Sequence, residues 1–155
     1  MMYRWFFGVL LFGLFAASSG FAQDCKGTFV DGECVEGYVY VPDFMSPQDL
    51  KKNIDEHAKD IVIVDTAAPP IWEEEHIPGA FNLPFSKNIT APAQLSREKT
   101  LVVYCACKDD DDSKEVARQL SLLGYRKVKV LKDGWFKWLD LKYKTVSAED
   151  EKAGK

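Results

Sequence analysis

The segment at residues 101–117 reads LVVYCACKDDDDSKEVA: an apolar run, a Cys-x-Cys pair, four aspartates and the start of a helical pattern. A continuous apolar run is typical of a strand that is buried on both faces of a parallel sheet. A second such run, IVIV at residues 61–64, ends in Asp65. The two runs therefore predict two central strands, one followed by Asp65 and the other by Cys105.

Helical patterns alternate with these runs along the chain. Asp112-Ser-Lys-Glu115 resembles a capping box and Gly124 marks a stop, so we expect a helix between them. Ser46 and Pro47 supply an N-cap and a first-turn proline for an earlier helix. We expect strands at residues 38–41, 61–64, 81–85, 101–104 and 127–131, and helices at 47–58, 69–75, 112–123 and 134–139. This alternation implies right-handed crossovers and an α/β sandwich around a mostly parallel sheet.

Length and charge limit the classes of function. The chain has 155 residues, 46% hydrophobic content and a formal net charge of −4. This length is enough for one domain, and the hydrophobic content excludes a largely disordered protein. The negative charge gives no basic surface for nucleic acid or for an anionic membrane.

Residues 1–22 have the pattern of a secretory signal peptide. Arg4 is their only charge, and residues 5–17 form an apolar run that is short for a membrane span. Gly20 and Ala22 place small side chains at the −3 and −1 positions of a cleavage site after Ala22. We therefore expect a cleaved leader and a periplasmic or secreted protein. The alternative is a retained N-terminal membrane anchor.

Export would place the cysteines in an oxidising compartment, where disulfides form. Cys25 and Cys34 flank the turn-prone dipeptide Asp31-Gly32 and are candidates for a disulfide, although a bridge requires the chain to bend near Gly27. The alternative is two unpaired cysteines in a flexible leader. The expected organisation is therefore a signal peptide at 1–22, an N-terminal leader at 23–37, one domain at 38–145 and a flexible tail at 146–155.

The second cysteine pair lies where chemistry is expected. In open α/β sheets, binding sites form outside the carboxyl ends of the strands. Cys105 lies between a buried strand and a helix N-terminus, where backbone N–H groups and the helix dipole favour a thiolate. By position alone, the alternative is a buried and inert cysteine.

A set of short motifs in a fixed order resembles the rhodanese-like domain family, over residues 43–144. They are Asp65, Glu75-His-Ile-Pro-Gly-Ala80, Val103-Tyr-Cys105, Leu123-Gly-Tyr125, and Lys132-Asp-Gly-Trp135 with Trp138. The resemblance implies a three-layer sandwich with a sheet of about five strands, and no cofactor. It also implies that Cys105 is a nucleophile, which takes a sulfane sulfur from a donor, holds it as a persulfide and passes it to an acceptor.

The resemblance further implies an active-site loop whose backbone amides stabilise the thiolate or persulfide. This loop consists of Ala106, Cys107, Lys108, Asp109, Asp110, Asp111, Asp112 and Ser113. Two departures concern the sulfur donor. Many active members carry an arginine two residues after the strand-end aspartate, where this chain has Ala67, and many have a basic or glycine-rich loop. The aspartates here predict that thiosulfate, a dianion, is a poor donor.

Asp65 and His76 are expected to support the site: Asp65 by hydrogen bonding to the neighbouring turn, His76 by holding the turn before the next strand. We expect no metal, because four consecutive aspartates cannot all point at one ion.

Two functions remain open. The first is an exported sulfurtransferase that carries sulfur on Cys105. The second is a non-catalytic binding or thiol-redox module in which Cys105 and Cys107 oxidise together into a small strained ring, or hold a soft metal such as Cu(I). The expected partners are a small sulfur donor or a thiol acceptor, including a protein thiol. Nucleic acid is not expected, nor is stable membrane association if the leader is cleaved.

Overall fold

A computed structural model describes residues 28–30, 33–36, 39–90 and 92–153. Outside these ranges lie the predicted signal peptide, its cleavage site and Cys25, and with Cys25 the predicted disulfide to Cys34. Among the described helices, none combines the length and the hydropathy that crossing a bilayer requires.

Strands and helices alternate along most of the described chain. The strands are β1 (Thr28–Val30), β2 (Glu33–Val35), β3 (Asp43–Met45), β4 (Ile61–Asp65), β5 (Phe81–Asn82), β6 (Thr100–Tyr104) and β7 (Val128–Leu131). The helices are α1 (Pro47–Asp55), α2 (Pro69–Glu74), α3 (Asp111–Leu122), α4 (Gly134–Asp140) and α5 (Ala148–Ala153), and a short 3₁₀ turn at Lys108–Asp110 leads into α3.

Five strands form one parallel sheet in the order β3-β7-β6-β4-β5. The predicted α/β fold is confirmed, and the sheet is parallel throughout. β1 and β2 form a separate antiparallel hairpin in which Phe29 lies opposite Cys34. The two apolar runs are the neighbouring central strands β4 and β6, paired so that Asp65 lies beside Tyr104.

The core lies on both faces of this sheet. Alternate residues of β6 point to opposite sides: Leu101 and Val103 pack in a cluster with Val116 of α3. Val102 and Tyr104 pack in a second cluster with residues of α1 and α4. A strand covered on both faces has to be apolar at every position, which explains why its sequence shows no alternation.

Two predicted elements need correction. The strand predicted at 38–41 is wrong: the edge strand is β3, and Val39 and Val41 are 78% and 77% exposed. The capping box predicted at Asp112 is not formed, because α3 begins at Asp111 and the carboxylate of Glu115 accepts hydrogen bonds from Arg118. Within the segment predicted as a tail at 146–155, Ala148–Ala153 form α5.

Candidate active site

Cys105 follows β6 directly and therefore lies at the carboxyl edge of the sheet, near its centre. Only 2% of its surface is exposed. Its carbonyl oxygen accepts a hydrogen bond from the Trp135 N–H at 3.1 Å, which ties the end of β6 to the start of α4. The Cys105 Sγ lies 3.6 Å from the hydroxyl oxygen of Ser113, a buried residue in the first turn of α3. The sulfur is thus held between a strand end and a helix N-terminus, where a thiolate is favoured.

Cys107 stands beside Cys105 in the same loop. The two sulfur atoms are in direct contact at covalent-bonding distance, and the two Cα atoms are 5.3 Å apart. Cys107 is half-buried, whereas Ala106 and Lys108 on either side of it are exposed. Of the two cysteines, Cys107 is therefore the more accessible residue.

The structure separates the four aspartates, which the sequence analysis treated as one charged group. Asp110 is 6% exposed, and its Oδ2 accepts a hydrogen bond from the Asp133 N–H at 3.0 Å. Burial is the main cause that raises the pKa of the Asp110 carboxyl. Asp109, Asp111 and Asp112 stay at the surface, where Lys114 Nζ lies 3.9 Å from Asp111 Oδ1. Asp109 and Asp111 are exposed and Asp112 is half-buried, so these three contribute the negative charge that solvent reaches.

Asp110 explains why α3 begins without its predicted cap. Asp109 and Asp110 both have left-handed backbones, with φ of 64° and 58°, a conformation that costs energy for residues other than glycine. The turn directs the Asp110 carboxylate away from the helix and toward the turn after β7. Its backbone carbonyl accepts a hydrogen bond from the Ser113 hydroxyl at 2.9 Å. One residue thus joins the loop both to Ser113 and to the β7–α4 turn.

Gly134 is the residue against which this carboxylate packs, and its replacement by alanine tests the contact. A Cβ at Gly134 would lie 2.8 Å from Asp110 Oδ1 and 2.8 Å from the Cys105 carbonyl oxygen, at a φ of +44°. We expect Gly134→Ala to lower the free energy of unfolding by about 2–4 kcal/mol, measured by urea denaturation. Gly79→Ala is the matched control, because Gly79 also has a positive φ but no atom within 4 Å of its Cβ position. Equal losses in the two variants would contradict close packing at Gly134.

Asp65 lies at the end of β4 and is 2% exposed. Its Oδ1 accepts a hydrogen bond from the Ala67 N–H at 2.8 Å, and its carboxylate also accepts one from the Tyr104 hydroxyl. Burial outweighs these bonds and raises the pKa of the carboxyl. The contacts give Asp65 a structural role in the turn after β4.

Tyr104→Phe tests this buried arrangement, because the hydroxyl also accepts the Ile77 N–H at 3.1 Å. Removing the hydroxyl leaves the buried Ile77 N–H unpaired. It also raises the pKa of Asp65 further, because the carboxylate loses a hydrogen-bond donor. We expect a loss of about 1–3 kcal/mol in the free energy of unfolding. Above the raised pKa of Asp65, its buried charge lowers the free energy of unfolding. This cost disappears as the pH falls toward the pKa of an aspartate in the unfolded chain, about 4. The destabilisation by Tyr104→Phe should therefore be larger at neutral pH than at about pH 4.

The matched control is Tyr125→Phe. The Tyr125 side chain is also buried, and its hydroxyl donates to the Leu95 carbonyl oxygen at 3.2 Å instead of to a carboxylate. Tyr125→Phe should therefore lower the free energy of unfolding by the same amount at both pH values, measured by urea denaturation. A pH-independent loss for Tyr104→Phe as well would contradict the coupling to Asp65.

His76 is fully buried and ties α2 to the C-terminal segment. Its Nδ1 lies 2.6 Å from the Trp72 carbonyl oxygen, and its backbone pairs with Val146 in an isolated bridge. Its Nε2 lies 3.8 Å from Glu151 Oε1, which itself accepts a hydrogen bond from the Gly79 N–H at 2.6 Å. The sequence analysis placed His76 in the turn before the next strand, but did not find its partners in the C-terminal segment.

The sequence analysis gave no site role to the Asp133–Gly134 turn, and it included Ser113 only as the end of the loop. Both lie against Cys105 or the loop that follows it. The motif Lys132-Asp-Gly-Trp135 contained the signal, because a glycine between two bulky residues after a strand indicates a close approach of backbone. In the described ranges, no group of three or more His, Cys, Asp or Glu side chains is placed to hold a metal ion.

The chain is similar to known proteins over about half of its length. A thiosulfate sulfurtransferase, GlpE, of Coxiella burnetii is 34% identical over 80 residues, which are 52% of this chain and 73% of that protein. An HTH-type transcriptional regulator of Mycobacterium tuberculosis is 31% identical over 84 residues, which are 52% of this chain. That match spans only 35% of the regulator.

Solved structures share the fold. The BH2092 protein of Bacillus halodurans has a TM-score of 0.62 at 28% identity, over 68% of this chain and 77% of that one. The rhodanese-like domain of the Alr3790 protein of Anabaena has a TM-score of 0.59 at 20% identity, over 71% and 83% of the two chains. The family model that matches residues 46–141, more than half of the sequence, is the rhodanese-like domain. The chain with this strand-end cysteine belongs to the rhodanese-like domain family.

Proposed function

We propose that the protein is a sulfurtransferase that carries sulfane sulfur as a persulfide on Cys105. The observation that carries the proposal is the position of this sulfur, which lies at the centre of the carboxyl edge, 3.6 Å from the Ser113 hydroxyl oxygen. A thiolate there can attack the outer sulfur of a donor, and the donor's remaining group leaves with the electron pair of the broken bond. Ser113 lies in the first turn of α3, and the N–H groups of that turn would stabilise the charge on the thiolate and on the persulfide.

We further propose that the preferred donors are neutral or protein-bound persulfides. Asp109, Asp111 and Asp112 follow the two cysteines in the loop and at the start of α3, and their negative charge disfavours a dianion such as thiosulfate. Lys114 offsets part of this charge, because its Nζ lies near Asp111 and bonds the Asp109 carbonyl.

Transfer from two donors in parallel tests the proposal. The protein should consume cysteamine persulfide, whose ammonium group offsets the charge of its persulfide, faster than thiosulfate when cyanide is the acceptor, with thiocyanate plus sulfide as the readout. The rate without protein is subtracted for each donor. If neither donor is consumed above that rate, the proposed activity is wrong. If thiosulfate is the better donor, the donor preference is wrong.

A thiol-redox function is the second candidate, and the contact between Cys105 and Cys107 favours it. A redox module would cycle between two thiols and a disulfide without ever holding an additional sulfur atom. The mass of the loop in Cys107→Ser, measured after exposure to a persulfide, therefore separates the two functions.

We also propose that the protein is exported, on the basis of its first 22 residues. Expressed in full, the chain should be recovered outside the cytoplasm with its N-terminus at or near Gln23, as determined by intact mass. Cys25 and Cys34 should then resist alkylation until a reductant is added. Full-length protein in the membrane fraction would contradict cleavage, and immediate labelling of both cysteines would contradict the disulfide.

A further inference from the structure

We propose that Cys107 resolves the persulfide of Cys105. Its thiolate attacks the Cys105 Sγ, the outer sulfur leaves as hydrogen sulfide, and the two cysteines remain joined as a disulfide. This inference rests on the proposed function, because it requires a persulfide on Cys105. It adds an activity to simple sulfur transfer, namely the reduction of sulfane sulfur to sulfide at the expense of thiols.

The position of the two sulfurs carries the inference. They lie in direct contact, and the Cα separation of 5.3 Å is within the range of about 4.4–6.8 Å that disulfides occupy. Cys107 has an extended backbone, with φ −122° and ψ 154°, which brings its side chain back toward the strand end. The sulfur that Cys107 reaches is the Cys105 Sγ itself, the inner atom of a persulfide. Attack on the inner atom expels sulfide, whereas attack on the outer atom would move the sulfur to Cys107.

The surroundings of the two sulfurs give them different roles when the Cys105–Cys107 disulfide is reduced back to two thiols. Cys105 is 2% exposed, and Cys107 is half-buried between the exposed residues Ala106 and Lys108. An external thiolate can therefore reach the Cys107 sulfur, and Cys105 is the leaving group. The Ser113 hydroxyl, which donates to the Asp110 carbonyl, lies close enough to turn toward a leaving thiolate on Cys105. The N-terminus of α3 favours the same charge.

The electrons and atoms of the cycle balance. In the resolving step, the bond between the two sulfurs of the persulfide breaks and the bond between Cys105 and Cys107 forms. The outer sulfur gains two electrons from the pair of cysteines and leaves as sulfide, while the thiol proton of Cys107 passes to solvent. A dithiol reductant then restores both cysteines through a mixed disulfide on Cys107. The partner reaction must therefore be a dithiol–disulfide exchange, which supplies two electrons for each sulfide released.

A single-turnover experiment on the full chain tests this inference. The protein is reduced, freed of reductant, exposed to one equivalent of glutathione persulfide, alkylated and digested with trypsin. Lys99 and Lys108 flank the site, so one peptide, residues 100–108, contains Cys105 and Cys107 and no other cysteine. In the wild type, we expect this peptide as a disulfide, lighter by two hydrogens, together with one equivalent of sulfide.

Cys107→Ser should instead keep one additional sulfur on Cys105 and release at least about tenfold less sulfide in the same time. Ala153→Ser is the matched control, because it introduces the same hydroxyl at an exposed position of α5, outside the loop, and should behave like the wild type. Equimolar glutathione added to the oxidised wild type should form its mixed disulfide on Cys107.

Four results would overturn the inference. They are a lasting persulfide on Cys105 of the wild type, an additional sulfur on Cys107 without sulfide, undiminished sulfide release by Cys107→Ser, and glutathione bound to Cys105 instead of Cys107. In the first two results the sulfur is still accepted, so the proposed function survives; in the third it survives when free glutathione is released and none stays on Cys105. An unmodified peptide in both the wild type and Cys107→Ser would overturn the proposed function, and this inference with it.

Discussion

Replacing Asp109, Asp111 and Asp112 together by asparagine should raise the turnover of thiosulfate by about ten- to a thousandfold at low ionic strength. Two unit charges about 6 Å apart interact by roughly 2.8 kcal/mol at an effective dielectric constant of 20. Solvent reduces each repulsion, but three of them act on the same dianion. Asp110 is left in place because its buried carboxylate holds the turn at Asp133, and its removal would disturb the loop.

The release of sulfite measures this effect, because sulfite leaves when the first sulfur bond is broken and does not depend on the acceptor. The variant should also depend less on added salt than the wild type does. A matched control replaces Asp55, Glu56 and Asp60 by their amides. These residues precede β4, at the opposite edge of the sheet, so their loss should change the rate by less than about twofold. Brisk turnover by the wild type at low salt would show that the loop charges do not govern the choice of donor.

Cys105→Ser should abolish sulfur transfer from every donor, with a loss of at least about a thousandfold in the rate of donor consumption. A serine hydroxyl at this position is neither ionised at neutral pH nor able to hold a sulfane sulfur. Among the described residues, Cys107 is the other cysteine of this loop, and it does not follow the strand end directly as Cys105 does. Rapid mixing with glutathione persulfide, with released glutathione as the readout, gives the rate of the first transfer.

Cys107→Ser is the control for this prediction, because it removes the neighbouring thiol without touching the proposed nucleophile. The first transfer should remain within about threefold of the wild type, since Cys107 acts only after the persulfide has formed. If both variants lose the first transfer equally, the two cysteines act as one redox pair and the sulfurtransferase proposal is wrong.

The parts of the fold that the sequence predicted well are those in which burial leaves a local pattern. β4 and β6 are covered on both faces, so every position in them is apolar, and their ends place Asp65 and Cys105 at one edge. β3 leaves no such pattern, because it is a three-residue edge strand that is held by backbone pairing to β7. The β-branched residues Val39 and Val41 just before it have a stronger strand propensity and misled the assignment.

The candidate site shows the same division between local and distant causes. The sequence predicted the position of Cys105 between a strand and a helix, because the apolar run before it and the helical pattern after it are both close along the chain. Which of four identical aspartates is buried cannot follow from them, because it depends on a contact between Asp110 and Asp133, 23 positions away. The docking of α5 is equally distant: Glu151 accepts a hydrogen bond from Gly79, 72 positions away, within a segment whose sequence is mostly polar.

The central claim is that Cys105 carries sulfane sulfur, and the most direct test is the mass of residues 100–108 after exposure of Cys107→Ser to glutathione persulfide. This variant leaves one sulfur in the peptide, so that no resolving step can remove the product. The account predicts a peptide heavier by one sulfur atom, with fragment ions that place the addition on Cys105 and a reductant that removes it. A peptide that stays unmodified while the persulfide is in excess would contradict the account.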